Sequence, residues 1–147
     1  MGDKESTELL EILKLYKYLR VVDVVDGMDG IGYFNIGLVD RQIRPLWAGM
    51  KFWGSALTVR CVPANMPMWK LDTTEDVVDA HSIWFKKAGM VDIEGLVRPG
   101  HVVVMDTGST GEVGAWGSNN GMGIIQRGAV GIITNGYARD TGDRKST

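Results

Sequence analysis

His101-Val-Val-Val-Met105 and Ala129-Val-Gly-Ile-Ile-Thr134 are two continuous apolar runs of strand length. Between them, Gly117 to Arg127 predicts a short helix, with Ser118 as the expected N-cap and Gly128 as the stop signal. Strand, helix and strand in so short a stretch predict a parallel βαβ unit, because parallel strands require a crossover connection. Apolar runs without alternation are typical of parallel strands covered on both faces. The predicted fold class is therefore α/β with a partly parallel central sheet.

The residues before this unit predict two helices, a strand and a further helix. Glu8 to Leu19 places apolar residues at helical spacing, and Val22 to Met28 predicts a short second helix. Ser55 to Val62 alternates and is rich in β-branched residues, which favours a strand. Thr73 to Asp76 has a capping-box pattern at the start of a helix that should stop at Gly89.

Composition excludes several classes of protein. The chain of 147 residues fits a single domain over residues 1–147, and 44% hydrophobic with 23% charged residues is typical of a globular protein. A net charge of -2 without a Lys/Arg cluster argues against direct nucleic-acid binding. The apolar runs are too short for a bilayer and no signal peptide precedes them, so we expect a cytoplasmic protein without a membrane segment.

Two reactive side chains have structural interpretations. Cys61 lies in an alternating apolar segment with no histidine nearby in sequence, so a small buried hydrophobe is favoured over a nucleophile. His81 lies within a predicted helix without an evident partner, and a structural role is again favoured over a catalytic base.

A candidate site follows from the predicted topology. If the two apolar strands are parallel neighbours, the loops at 106–116 and 135–143 emerge at the same carboxyl edge of the sheet, where open α/β sheets bind ligands. The helix start at 117–120 offers free backbone N–H groups and a positive dipole end, which favour an anion. Arg139 supplies a planar fork for a carboxylate, and Asp140 supplies an oxygen for a hard cation. The alternative is that the two residues form a surface salt bridge.

Glycine content strengthens the ligand interpretation. The chain has 20 glycines, and five of them lie between Gly108 and Gly121. Glycines cost backbone entropy, so this concentration indicates close approach of a ligand to the backbone. The order of residues matches neither G-x-x-x-x-G-K-[ST] nor G-x-G-x-x-G, which excludes nucleotide loops of those types.

Several segments together resemble the RraA-like family, which contains the regulator of RNase E activity A and the class II 4-hydroxy-4-methyl-2-oxoglutarate aldolases. The segments that carry the resemblance are Gly100–Asp106, Ala115–Ser118, Gly128–Gly136 and Arg139–Asp140, with Val24–Asp26, Ile43–Leu46 and Gly54–Val59 upstream. The resemblance therefore extends over nearly the whole chain.

This resemblance implies an α/β/β sandwich, a trimer or hexamer, and active sites between subunits. It also implies a small carboxylate substrate and a divalent metal, Mg²⁺ or Mn²⁺, which stabilises an enolate. The residues that it assigns to substrate are Gly117, Ser118, Asn119 and Arg139. It assigns Asp140 to the metal and matches Asp143 to an acidic position outside the direct metal ligands.

Two departures from the family bear on function. Ser118 stands where the aldolases have an acidic residue, and a hydroxyl is not a base near neutral pH. The chain also ends at Thr147, before the final strands of its relatives, so we expect another polypeptide or the remainder of a longer chain to complete the sheet.

The sequence predicts a divalent-metal-dependent lyase of the aldolase or decarboxylase type, acting on a small oxo acid through an enolate. One alternative is a non-catalytic RraA-like interaction or regulatory subunit. Another is a related lyase or hydratase whose base is supplied by another chain.

Overall fold

Helices and strands are interspersed along the chain. The computed structural model describes residues 3–64, 70–87, 91–108 and 113–140. In chain order the elements are α1 (Asp3–Leu15), a 3-10 helix (Tyr16–Tyr18), α2 (Val21–Gly30), β1 (Ser55–Arg60), α3 (Thr74–Lys87), α4 (Ile93–Leu96), β2 (His101–Asp106), β3 (Gly114–Trp116), α5 (Ser118–Gln126), β4 (Gly131–Thr134) and β5 (Tyr137–Ala138).

The main sheet is parallel and has the strand order β1-β2-β4. Ser55 pairs with His101 on one side, and Val102 pairs with Gly131 on the other. The central position of β2 explains its unbroken apolar sequence, since both of its faces are covered. β1 instead alternates between half-buried and exposed residues, as a strand covered on one face does. The predicted α/β fold and the parallel pairing of β2 with β4 are therefore confirmed.

The hydrophobic core lies around β2 and α5. Val103 and Ile124 are almost completely buried, and the burial of each such side chain contributes about 1.5–3 kcal/mol. The other buried members of this cluster are Val97, Met105, Trp116 and Ala129. Partly buried residues that pack against it are Leu57, Val59, Cys61, Ile93, Ala115 and Ile132. Trp116 thus anchors the start of α5 in the core, which fixes the position of the segment that forms the candidate site.

The helix boundaries correct two expectations. Gly117 is the N-cap of α5 and makes no side-chain cap, so the prediction of Ser118 as N-cap is wrong by one residue. The stop at Gly128 is confirmed, since this residue has φ +94°, a conformation that favours glycine. The first helix begins at Asp3 rather than Glu8 and ends in a 3-10 turn.

The start of α3 agrees with the predicted capping box. The N–H of Asp76 donates to the Thr73 hydroxyl over 3.1 Å, and the N–H of Thr73 donates to Oδ2 of Asp76 over 2.9 Å. None of the helices within the described ranges combines the length and apolar character that crossing a bilayer requires.

Candidate functional site

A second, smaller pair of strands holds the predicted site together. β3 and β5 run parallel, with Gly114 paired to Tyr137 and Trp116 paired to Ala138. Beyond the last pair, the N–H of Arg139 donates to the carbonyl oxygen of Trp116 over 2.7 Å. These contacts place the Arg139-Asp140 dipeptide next to the residues that lead into α5.

The side chain of Arg139 runs over two glycines of the β3–α5 segment. A Cβ atom added to Gly114 would lie 2.5 Å from Cγ of Arg139 and 2.9 Å from Cδ. A Cβ atom added to Gly117 would lie 3.2 Å from Nη2 of the same arginine. Non-bonded carbon atoms prefer separations of about 3.5–4.0 Å, so Gly114 has no room for a side chain while Arg139 keeps this position. Gly117 would accommodate one only if the end of the arginine moved by a few tenths of an ångström. We call Gly114 and Gly117 the glycine platform of Arg139.

Asp140 places its carboxylate at the start of α5. The backbone N–H of Ser118 donates to Oδ2 of Asp140 over 3.1 Å, and the Ser118 hydroxyl lies 3.5 Å from the same oxygen. Helix-start amides and the helix dipole stabilise negative charge at this point. Asp140 adopts a left-handed φ of 57°, which aspartate tolerates better than most residues. An anion does lie at the helix start, therefore, and it is the chain's own carboxylate.

The predicted site residues can now be placed. Asn119 is the second residue of α5 and is exposed, and its N–H belongs to the first turn, which has no intrahelical acceptor. Asp143 lies outside the described residues. The residues that the structure brings into contact are Gly117, Ser118, Arg139 and Asp140.

A polar network beside the site was missed by the sequence reasoning. The N–H and the hydroxyl of Thr107 both donate to Oδ1 of Asn135, over 2.8 and 2.9 Å, and Nδ2 of Asn135 donates to Oδ1 of Asp106 over 2.8 Å. The N–H of Gly108 donates to the same Asp106 oxygen over 2.9 Å. The signal was visible, because Asp106 ends β2 and Asn135 directly follows β4, at the carboxyl edge of the sheet.

The network also sets the charge state of Asp106. The hydrogen bond from Asn135 and the one from Gly108 stabilise the carboxylate and lower the pKa of Asp106 below its ordinary value of 3.8. Arg60 adds a weaker attraction, since its Nε lies 3.7 Å from Oδ2 of Asp106 and solvent reaches both side chains, that of Arg60 largely exposed and that of Asp106 about half exposed. Asp106 is therefore an acceptor, not an acid, near neutral pH.

The acidic groups at this edge limit the kind of metal site that can form. Within the described ranges, no group of three or more His, Cys, Asp and Glu residues could hold a metal ion together. Both Ser118 contacts involve Oδ2 of Asp140, which leaves Oδ1 as its oxygen for a cation. Mg²⁺ suits such a sparse site, because it keeps several waters and is often bound through one or two carboxylates and the substrate. A single carboxylate oxygen could hold Mg²⁺ or Mn²⁺ only together with waters or a bound ligand, and not as a site built from protein ligands alone.

The fold and the site define a class of protein: an α/β protein whose parallel strands direct an arginine, an aspartate and a helix start to one edge. A family model, RraA-like (Aldolase/RraA), matches residues 21–147. The chain belongs to the RraA-like family, which includes aldolases and regulators. Neither the curated proteins nor the solved structures gave a match.

Proposed function

We propose that this protein is a divalent-metal-dependent lyase of the aldolase or decarboxylase type that acts on a small oxo acid. The observation that supports this most directly is the position of Arg139 and Asp140. The glycine platform holds the guanidinium beside the helix start, and the adjacent carboxylate contacts Ser118. A cation-binding oxygen next to a carboxylate-binding fork suits a substrate with neighbouring oxo and carboxylate groups.

Arg139 would bind the carboxylate of the substrate. Its fork can donate two parallel hydrogen bonds to one carboxylate, and such charge-assisted bonds are about twice as strong as neutral ones. The N–H of Asn119, which lacks an intrahelical acceptor, is available as a further donor. Together these groups would fix the substrate by its carboxylate and direct its oxo group towards Asp140.

Asp140 would hold the metal through Oδ1 while Oδ2 stays bonded to Ser118. When bound, Mg²⁺ or Mn²⁺ would supply positive charge that stabilises the negative charge arising on the substrate's oxo oxygen. In a decarboxylation of oxaloacetate, the bond from C3 to the departing carboxylate breaks, CO₂ leaves, and the electron pair of that bond moves towards the oxo oxygen. Proton uptake at C3 then gives pyruvate.

Ser118 limits the chemistry of the chain's own residues. Its hydroxyl can donate a hydrogen bond but is not a base near neutral pH. Decarboxylation requires no base to break the carbon-carbon bond, whereas cleavage of a hydroxy acid requires removal of the hydroxyl proton. We therefore propose oxaloacetate decarboxylation as the first activity to assay.

The proposal is tested with oxaloacetate in the presence and absence of Mg²⁺, with pyruvate release as the readout. Arg139→Ala and Asp140→Asn should each reduce the metal-dependent rate at least tenfold, since each removes a charged contact. Arg127→Ala changes an exposed arginine at the other end of α5 and is the matched control for Arg139→Ala. Asp79→Asn, on an exposed position of α3, serves the same purpose for Asp140→Asn. A rate unaffected by Asp140→Asn would refute the proposed role of the metal.

A second candidate function is a non-catalytic, regulatory member of the family. The contact between Ser118 and Asp140 favours it, because this contact gives Asp140 a structural role at the helix start that needs no metal. A related lyase or hydratase whose base comes from another chain is the third alternative. Calorimetric titration with Mg²⁺ and oxalate separates the regulatory function from the two enzymatic ones, since a purely regulatory protein needs to bind neither.

We also propose that the protein works as a homo-oligomer, a trimer or hexamer. Support comes from the segment between α2 and β1, where Ile31, Phe34 and Ile36 are each more than 60% exposed. Apolar groups this close together on a surface often mark interfaces. Light scattering coupled to size-exclusion chromatography measures the assembly, and Ile36→Lys should shift it towards smaller species. A monomer that Ile36→Lys leaves unchanged would contradict the proposal.

A further inference from the structure

Three hydrogen bonds connect the end of β2 and the loop after it to Asn135, the residue after β4, and a fourth joins Gly108 to Asp106 within that loop. We call the residues that form them the Asn135 clamp; they are Asp106, Thr107, Gly108 and Asn135. Their donor-acceptor distances are 2.8–2.9 Å, within the ordinary range for strong protein hydrogen bonds. Asn135 uses its amide oxygen towards Thr107 and its amide nitrogen towards Asp106, so the two ends of this side chain hold two neighbouring residues of the other loop.

The clamp lies directly before the strand that leads to the candidate site. Asn135 precedes Gly136, and a Cβ atom added to Gly136 would lie 2.8 Å from Cγ2 of Thr107 and 3.2 Å from the carbonyl oxygen of Val113. The N–H of Tyr137 donates to that same carbonyl oxygen over 2.9 Å. The turn between β4 and β5 is therefore packed between Thr107 and the residue that precedes β3.

We propose that Asn135 is a positioning residue for the anion-binding site. Its side chain fixes the turn that begins β5, and β5 in turn sets the place of Arg139 over the glycine platform. The inference rests on the proposed function only in taking a carboxylate as the ligand of Arg139. The clamp itself does not contact the ligand in this proposal.

The exposed position of Asn135 distinguishes a positioning role from a role in stabilising the hydrophobic core. Asn135 is exposed and does not belong to the cluster around Val103 and Ile124. Thr107, by contrast, is only 5% exposed, so one end of the clamp is rigid and the other holds a surface turn. Without the clamp, the turn would populate conformations in which Arg139 lies off the platform. Apparent affinity falls in proportion to the competent population, so a tenfold smaller population would weaken ligand binding about tenfold.

Asn135→Asp tests the clamp most sharply. The new side chain still offers an oxygen to Thr107, but it places a second carboxylate oxygen against Asp106, where like charges repel. We expect binding of oxalate, measured by calorimetry with Mg²⁺, to weaken about tenfold. Adding Asp106→Asn should restore part of the affinity, because an amide then donates to the new carboxylate, although its nitrogen no longer accepts the N–H of Gly108.

A control and a second variant keep the result interpretable. Gln126→Glu adds the same charge at an exposed amide, the last residue of α5 and away from its start, and it should leave oxalate binding unchanged. Thr107→Val removes only the hydroxyl donor at nearly constant volume and should weaken binding less than Asn135→Asp does. Undiminished oxalate binding in Asn135→Asp, or a double variant no better than Asn135→Asp alone, would overturn the proposal.

Amide hydrogen exchange of residues 135–140 measures the clamp without any ligand. Exchange should be faster in Asn135→Asp than in the wild type and should slow again when Asp106→Asn is added. If the wild-type protein binds no oxalate, the proposed function fails and the clamp is judged by exchange alone. Unchanged exchange in Asn135→Asp would then overturn the clamp as well.

Discussion

Gly114→Ala should weaken anion binding without removing a charged group. The added methyl would lie 2.5 Å from Cγ of Arg139, at least about 1 Å closer than a carbon-carbon contact allows. Gly114 does not have a positive φ, so alanine fits its backbone. Arg139 is exposed, and rotation about its Cα–Cβ bond would carry Cγ away from the new methyl, so its side chain rather than the backbone should move off the platform.

The expected size of the effect follows from the interaction that is lost. Hydrogen bonds to charged groups contribute about 1.5–3 kcal/mol, which corresponds to about 10- to 150-fold in the dissociation constant of oxalate. Folding should change little, because replacing glycine by alanine stabilises by about 0.4–1 kcal/mol through the unfolded chain and offsets part of any strain. Calorimetry with oxalate and Mg²⁺, together with thermal unfolding, measures both quantities.

Two comparisons decide whether the arginine is the cause. Gly27→Ala is the matched control, because a Cβ atom added there, in α2, meets nothing within 4 Å, and oxalate binding should be unchanged. In the background of Arg139→Ala, Gly114→Ala should have no further effect, since the group that it displaces is gone. Wild-type affinity in Gly114→Ala, or a further loss in the double variant, would refute the reasoning.

Three other predictions follow from single contacts. Asp140→Ala should destabilise the fold by about 1–2 kcal/mol more than Asp140→Asn in urea unfolding. The reason is that asparagine tolerates the left-handed φ of 57° better than alanine does and keeps an acceptor for the N–H of Ser118. Equal losses of stability in the two variants would contradict this prediction. Burial lowers the pKa of His101 below its ordinary value of 6.5, so the unfolded chain binds a proton more readily than the folded chain. Stability should therefore fall as the pH drops below 6.5. The difference between the thermal unfolding midpoints at pH 5.5 and pH 7.5 should be smaller in His101→Asn than in the wild type. Trp53→Phe removes the 2.9 Å hydrogen bond from the indole N–H to the carbonyl oxygen of Leu13 and should lower the free energy of unfolding by about 1 kcal/mol. Amide hydrogen exchange in α1 should be faster in this variant. Unchanged exchange would show that Trp53 does not anchor α1.

The sequence was most informative where a local pattern coincides with burial. The apolar runs of β2 and β4 predicted a parallel pair because both faces of such strands are covered, and the structure pairs them in parallel. Gly128 marked the end of α5 because its positive φ is a local property of glycine. β3 and β5 could not be predicted in the same way, since three and two residues are too few to establish a period.

The glycines of the site show the limit of local reasoning more clearly. Their density indicated close approach to the backbone, and a ligand was the expected occupant. At Gly114 and Gly117 the occupant is the side chain of Arg139, more than twenty positions further along the chain. The N-cap at Ser118 failed for a related reason, because Asp140, a residue distant in sequence, accepts the hydrogen bond from the helix start.

The contact between Ser118 and Asp140 also relates the two proposed functions to one another. In the aldolases an acidic side chain stands at the position of Ser118, as the family resemblance implies, and a second carboxylate beside Asp140 would repel it unless a cation lay between them. With Ser118, the helix start stabilises the charge of Asp140 in part, so the site can keep its geometry without metal. Metal affinity should therefore be weaker than in an enzyme with the acidic residue, while the carboxylate-binding half, Arg139 on its glycine platform, is preserved.

Ser118→Asp restores the second carboxylate, and it should raise Mg²⁺ affinity and lower stability in the absence of metal. If it leaves both unchanged, Ser118 is not the reason for a weak metal site.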